Sequence, residues 1–142
     1  MKIATWNVNS IRTRIDRVVA FLERHDVDVL ALQETKCRPD QFPFDQLHDQ
    51  GYSVEVLGLN QWNGVALISR EPLTDVQHHF SGVPLFGDSS EAEPRAIAAT
   101  TAGIRVYSLY VPHGRGLTDP HYQYKLNWLD NLATEAAGLN DQ

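Results

Sequence analysis

Val27-Asp28-Val29-Leu30-Ala31-Leu32-Gln33-Glu34-Thr35-Lys36 reads as an apolar strand that ends abruptly in a carboxylate and an ammonium. A buried strand needs a reason to finish that way. One reason is bland: a solvated strand end followed by a loop charge. The other is that Glu34 belongs to a site, and the surrounding sequence bears on which holds.

Upstream, Met1 to Trp6 alternates as a first strand with Ile3 and Thr5 on one face, and Asn7-Val8-Asn9-Ser10 closes it as a polar turn. Ser10 then serves as N-cap of a helix whose apolar stripe is Ile11, Ile15, Val18, Val19 and Leu22, ending near His25. Strand, helix and strand in this order predict two parallel strands joined right-handedly. Their C-terminal ends share one sheet edge, and that edge carries Asn7 and Glu34.

Downstream, Pro39 and Pro43 mark a loop with a short helix around Phe44 to Asp49. Tyr52 to Leu57 alternates as a strand, Gly58 to Trp62 turns, and Gly64 to Ser69 reads as a buried strand paired back on it. Val76 to Phe80 is expected as an edge strand, because Gln77, His78 and His79 are polar. An exposed acidic loop, Ser81 to Pro94, follows. Arg95 to Thr101 and Ile104 to Val111 make a hairpin across Ala102-Gly103 and end in the polar tip Tyr110-Val111-Pro112-His113-Gly114-Arg115-Gly116. Asp119 as N-cap and Pro120 at the first helical position start a last helix with a buried stripe of Tyr122, Leu126, Leu129, Leu132 or Ala133, and Ala136.

At 142 residues, with 42% apolar and 21% charged side chains, the chain is sized for one domain burying roughly two-thirds of its unfolded surface. The N-terminus reaches polar Asn7 too early for a signal-peptide core or a bilayer span, so no membrane partner is expected. A single cysteine, Cys37, forms no internal disulfide, and a cytoplasmic location fits best. The net charge of -6 argues against a polyanionic partner, yet the charge is uneven. Residues 1–39 carry seven basic against five acidic side chains, and the remainder five against thirteen. That distribution suits an enzyme that holds a metal and grips a phosphate backbone at one place.

Three strand ends carry an amide at Asn7, a carboxylate at Glu34 and a phenol at Tyr110. A hard cation such as Mg2+ takes oxygen ligands and is commonly held by one or two carboxylates plus substrate phosphates. Arg12, Lys36, Arg95 and Arg115 are the candidate phosphate contacts, and Tyr110 is placed to hydrogen-bond a developing phosphorane oxygen. There is no Gly-rich phosphate loop, no zinc spacing and no serine nucleophile elbow. Metal-assisted phosphodiester hydrolysis is the reaction class these residue types support.

Four ordered motifs add a family resemblance. Thr5-Trp6-Asn7-Val8-Asn9-Ser10-Ile11-Arg12, Leu32-Gln33-Glu34-Thr35-Lys36, Asn63-Gly64-Val65-Ala66-Leu67-Ile68-Ser69-Arg70 and Leu109-Tyr110-Val111-Pro112-His113-Gly114-Arg115-Gly116 resemble the exonuclease III branch of the endonuclease, exonuclease and phosphatase superfamily. The resemblance implies an α/β fold, half of a four-layer α/β/β/α sandwich of the DNase I-like kind, with a mixed sheet and flanking helices. It implies an Mg2+-dependent hydrolase, Mn2+ being the alternative ion, that incises double-stranded DNA at abasic sites and trims 3′ ends in DNA repair. By it Asn7 and Glu34 belong to the metal site and Tyr110 to the catalytic shell. Arg12, Lys36 and Arg115 fall to the DNA-facing surface, where Asn63, Arg95 and His113 join them as candidates. Other branches of the superfamily act on lipid or RNA.

His113 stands where the family usually has an amide, which opens a pH-dependent phosphate contact, and Pro94 replaces a commoner small residue. The larger departure is length. The chain resembles the first half of the family fold, a single incomplete domain over residues 1–142. The expected second half would bring an Asp-Xaa-Asn pair, a further Asp and an Asp-His pair. Gly87-Asp88-Ser89 reads as loop, and Asn140-Asp141 has no strand before it. His25, His48, His78, His79 and His121 read as surface or packing residues. The chain alone is therefore expected to be inactive, or to bind only DNA or a complementary chain. With one sheet present and its partner absent, a face including Ile3, Val29, Leu67 and Val106 is expected to lie partly uncovered, favouring self-association or a need for the missing half.

Overall fold

The computed structural model describes residues 1–139, so Asn140-Asp141 lies outside the described residues. The chain divides into two compact units, Met1–His78 with Pro94–Tyr110, and His79–Glu93 with Val111–Gln142.

The first unit begins with β1 (Ile3–Asn7), α1 (Ile15–Arg24) and β2 (Val29–Gln33). β1 and β2 pair in parallel, Ile3 opposite Val29 and Asn7 opposite Gln33, which puts Asn7 and Glu34 at one sheet edge as the sequence predicts. After a 3-10 turn (Pro39–Gln41) and α2 (Phe44–His48), the hairpin β3 (Ser53–Leu57) and β4 (Val65–Ser69) completes a mixed sheet in the order β1-β2-β4-β3. β5 (Thr74–His78), β6 (Ala96–Thr101) and β7 (Ile104–Leu109) form an antiparallel sheet in the order β5-β6-β7. β5 starts two residues earlier than the polar pattern predicts. It carries a register shift between Thr74 and Gln77, a bulge of the kind that protects edge strands.

Strand alternation builds two cores. Leu30, Leu32, Ala66 and Ile68 point to the helices and pack with Ile11, Ile15, Val18, Leu22 and Leu47. Their neighbours Val29, Ala31, Val65 and Leu67 point the other way and pack on Ile97, Ala99 and Val106 of the second sheet. β2 and β4 are buried on both faces, which is why they read as unbroken apolar runs.

The expectation of an uncovered face is corrected by this packing. Val29 and Leu67 of the mixed sheet and Val106 of the antiparallel sheet are buried where the two sheets of the same chain pack together, and of the four named residues Ile3 alone, on edge strand β1, is exposed. The first unit therefore holds a helix layer, a mixed sheet and an antiparallel sheet, the mixed-sheet architecture with flanking helices that the motifs imply.

A second correction concerns α1. It starts at Ile15 with Arg14 as N-cap, and Ser10 adopts φ +90°, so Ser10 does not cap it. The backbone N–H groups of Ser10 and Ile11 are drawn instead to the Glu34 and Thr35 carbonyls, at 2.8 and 3.1 Å. The site edge competes with the helix for this segment and wins.

In the second unit, α3 (Pro120–Leu139) starts at the predicted Pro120. Its buried residues are His121, Tyr124 and Trp128, and Leu126 is exposed, so the buried face is rotated from the predicted leucine stripe. The aromatics decide it. Trp128 meets Phe80 edge-on with ring centroids 5.0 Å apart, and Phe86 packs on His121 and Tyr124.

Candidate metal and phosphate site

The chemistry gathers on the Glu34-Thr35-Lys36 turn of the first unit. Strand alternation alone would aim Glu34 opposite to Gln33, toward the helix side. Glu34 and Lys36 instead adopt left-handed backbone angles, φ +56° and +57°, which swing the chain out of the strand path. A side chain other than glycine in that region costs about 1–3 kcal/mol and persists only where surroundings hold it.

The turn is held from both sides. Ser10 and Ile11 donate to it from the β1–α1 segment, while Thr35 N and Lys36 N donate to the Gly64 and Asn63 carbonyls at 3.2 and 2.9 Å. Gly64 has φ +96°, and a Cβ there would fall 2.2 Å from Thr35 Oγ1, so glycine is required for the hairpin to approach the turn.

On this platform Asn7 Nδ2 donates to Glu34 Oε1 at 2.9 Å, and Lys36 Nζ lies 3.2 Å from Glu34 Oε2. Lys36 Nζ also reaches Asn9 Oδ1 at 2.5 Å, and Asn7 Oδ1 accepts from Asn9 N at 3.2 Å. Partial burial of Glu34 opposes its charge. Hydrogen bonds from Asn7, Tyr110 and Lys36 outweigh that penalty and hold its pKa below the ordinary glutamate value. Glu34 is thus an ionised carboxylate throughout the neutral range, with its side chain 22% exposed.

Tyr110 follows β7, and its ring stacks on Arg95, whose guanidinium carbon lies 4.9 Å from the ring centroid. Arg95 Nη1 donates to Tyr110 O at 3.2 Å, and Tyr110 N donates to Arg95 O at 2.8 Å. Arg95 is only 5% exposed. Arg95 is thus buried against Tyr110 and supports it, and sequence alone does not tell a buried guanidinium from a surface one. Arg12 is exposed beside the turn, its Nη2 3.4 Å from the Lys36 carbonyl.

Asn63 is half-buried at φ +58°, next to Trp62, which is 61% exposed. Trp62 is not among the residues that the motifs single out. An exposed tryptophan one position from a candidate asparagine is the signal that singles it out. His113 and Arg115 belong to the second unit, where His113 Nδ1 accepts from Arg115 N at 2.7 Å and the His113 carbonyl meets His121 Nδ1.

The donor set fits a hard cation. It offers carboxylate and amide oxygens and no soft ligand at the turn. It is not a closed cage: among the described residues no group of three or more His, Cys, Asp and Glu side chains is placed to hold a metal.

Comparison with known proteins bears on the family of the chain. A profile of the Endonuclease/Exonuclease/phosphatase family matches residues 4–141. The chain is 30% identical over 118 residues to an exodeoxyribonuclease III from Haemophilus influenzae, covering 80% of this chain and 42% of that protein. It is similar to a solved AP endonuclease from Archaeoglobus fulgidus, with 41% identity, TM-score 0.85, and coverage of 95% of this chain and 51% of that one. It is also similar to a 3′ phosphatase from Neisseria solved bound to product DNA hairpin, with 34% identity, TM-score 0.92, and coverage of 100% and 53%. The chain spans about half the length of these relatives. On the profile match across nearly all its residues, the chain belongs to the endonuclease/exonuclease/phosphatase family.

Proposed function

We propose that the chain carries the N-terminal portion of an exonuclease III-like phosphodiesterase that acts on double-stranded DNA at abasic sites or 3′ ends, with Mg2+ as its ion and Mn2+ as the substitute. The observation that carries this reading is the convergence of Asn7, Tyr110 and Lys36 on the Glu34 carboxylate at the end of β2. Glu34 and Asn7 would hold the cation, which when bound would neutralise charge on a phosphate oxygen. Tyr110, supported by Arg95, presents a phenol to the same place for hydrogen bonding to a phosphate oxygen. Lys36 and Arg12 supply positive charge, and Asn63 an amide, along the turn that would face the backbone. His113 and Arg115, which belong to the second unit, are candidate phosphate contacts in their own right in this reading.

In this proposal the 142 residues alone do not turn over, because the described part of the site offers one carboxylate and no partner to activate water. The partner they need is the rest of the domain. Among the described residues β1 pairs only with β2, and β7 only with β6, which leaves an edge on each sheet where further strands can add. Self-association through the same edges is the competing outcome. No helix among the described residues is long and apolar enough to cross a membrane. A cytoplasmic location belongs to the same reading, supported by the lone, unpaired Cys37.

The test is Mg2+-dependent incision of an abasic-site duplex, with a phosphoinositide as the alternative substrate, using this chain and a version extended by the remaining family motifs. Incision by the extended protein and none by the chain alone is the expected result. Turnover by the chain alone at the extended protein's rate would overturn the incomplete-site reading. Phosphoinositide cleavage without incision would move the protein to another branch. In the extended protein Glu34→Ala should lose activity chiefly through metal binding, with partial rescue by high Mg2+. An unchanged metal dependence would remove Glu34 from the site.

A further inference from the structure

Gln33 immediately precedes Glu34, yet its side chain points away from it, into the layer between the two sheets, where it is 9% exposed. Its Nε2 donates to Thr5 Oγ1 at 3.0 Å on β1 and to Ser108 Oγ at 3.2 Å on β7, and Ser108 Oγ donates to the Leu32 carbonyl at 2.7 Å. We infer that Gln33 is a positioning residue for the proposed metal site, a single buried amide that fixes Asn7, Glu34 and Tyr110 relative to one another by tying together the strands that carry them. This inference rests on the proposed reading of Asn7 and Glu34 as metal ligands.

Strand geometry makes the connection. Residues two apart in a strand or its direct extension share a face, so Thr5 sets the direction of Asn7 and Ser108 that of Tyr110. Gln33 shares its backbone with Glu34. Of the three, Asn7 and Glu34 stand on the mixed sheet and Tyr110 follows the antiparallel one, so their spacing depends on how the sheets slide and splay. Apolar contacts such as Leu67 on Ile97 resist separation but are weakly directional. Hydrogen bonds at fixed length and angle supply the missing direction.

The plain alternative is that Gln33 only fills and satisfies the inter-sheet layer. The far end of the same layer shows what that role requires: Ser69 Oγ and Thr101 Oγ1 pair at 2.7 Å, two hydroxyls and no amide. At the site end a longer side chain links three strands. A buried amide is costly unless its bonds are made, so its use where a leucine would pack implies that the connection matters.

The test uses the full 142-residue chain, 15N-labelled, and reads two quantities: the Asn7 side-chain amide signals, which report the bond to Glu34, and Mn2+ affinity by electron paramagnetic resonance. Gln33→Met keeps length and volume but donates nothing. Ser108→Ala removes one bond and is the milder variant that decides the matter should Gln33→Met fail to fold. Each should shift the Asn7 amide signals and weaken Mn2+ binding about tenfold, the usual effect of losing an outer support to a ligand. Ser108→Thr should restore both. Ser69→Ala should lower the unfolding midpoint while leaving both readouts at wild-type values. Wild-type Asn7 signals in folded Gln33→Met and Ser108→Ala would overturn the inference. Failure of the wild-type chain to bind Mn2+ would count against the metal reading, and the Asn7 signals would still decide the role of Gln33.

Discussion

Lys36 Nζ stands 3.2 Å from Glu34 Oε2, so the carboxylate proposed as a metal ligand already carries a cation from its own turn. At that separation the attraction is about 1 kcal/mol even in bulk-water dielectric, and more at the partly buried site. An incoming divalent ion has to compete with it. Lys36→Gln should therefore tighten Mn2+ binding, by roughly fivefold on that attraction. It should weaken DNA binding and lower the salt slope by about one. Electron paramagnetic resonance titration and fluorescence anisotropy across salt concentrations check the two opposite signs. Parallel losses in both would mean that Lys36 is structural.

Acid should act through Glu34 in a defined direction. Its pKa is lowered in the folded chain against the penalty of burial, so the charge contributes stability above the ordinary carboxylate range, and that contribution is lost as pH falls through the folded value. Glu34→Gln should be less stable than wild type near about pH 7, and the gap should narrow as pH falls below the ordinary carboxylate range. Urea unfolding at several pH values measures the gap. A gap that widens on acidification would contradict the hydrogen-bonded carboxylate.

The approach of the β3–β4 hairpin to the Glu34 turn depends on Gly64. With φ +96°, and with any added methyl falling 2.2 Å from Thr35 Oγ1, Gly64→Ala should cost about 3 kcal/mol and displace the Thr35 and Lys36 amides from their acceptors. Hydrogen exchange at those two amides should accelerate well beyond the change in the rest of the chain. Uniform acceleration would indicate global destabilisation only.

Leu67 tests the layer between the sheets. It is fully buried beneath Ile97 and its neighbours, so Leu67→Ala should cost about 2–5 kcal/mol. A loss below about 0.5 kcal/mol, as at a surface position, would return this face to the uncovered state that a lone sheet implies.

Cys37 is buried at 3% exposure, and burial raises its pKa above that of a free thiol. The thiol should resist alkylation near neutral pH until the chain opens, and react at the rate of unfolding in moderate denaturant. Fast labelling of the folded chain, read by mass spectrometry, would show that the Cys37 region is not packed as described.

The order of elements around Leu32-Gln33-Glu34-Thr35-Lys36 is legible from residues alone. Period-two and period-3.6 patterns are local, and they locate the parallel β1–β2 pair, the two hairpins and the shared edge of Asn7 and Glu34. Family motifs, being contiguous, are equally readable. What the sequence could not determine depends on partners far along the chain. Gln33 and Ser108 are 75 residues apart, and their bond exists only because two sheets pack in one register. The burial of Arg95 under Tyr110, the left-handed turn at Glu34 and the start of α1 at Ile15 are likewise settled by tertiary contacts overriding local preference. Sequence by itself determined which residues meet at the sheet edge. Only the tertiary structure decided how they face one another, because direction at that edge comes from bonds between strands that no local pattern encodes.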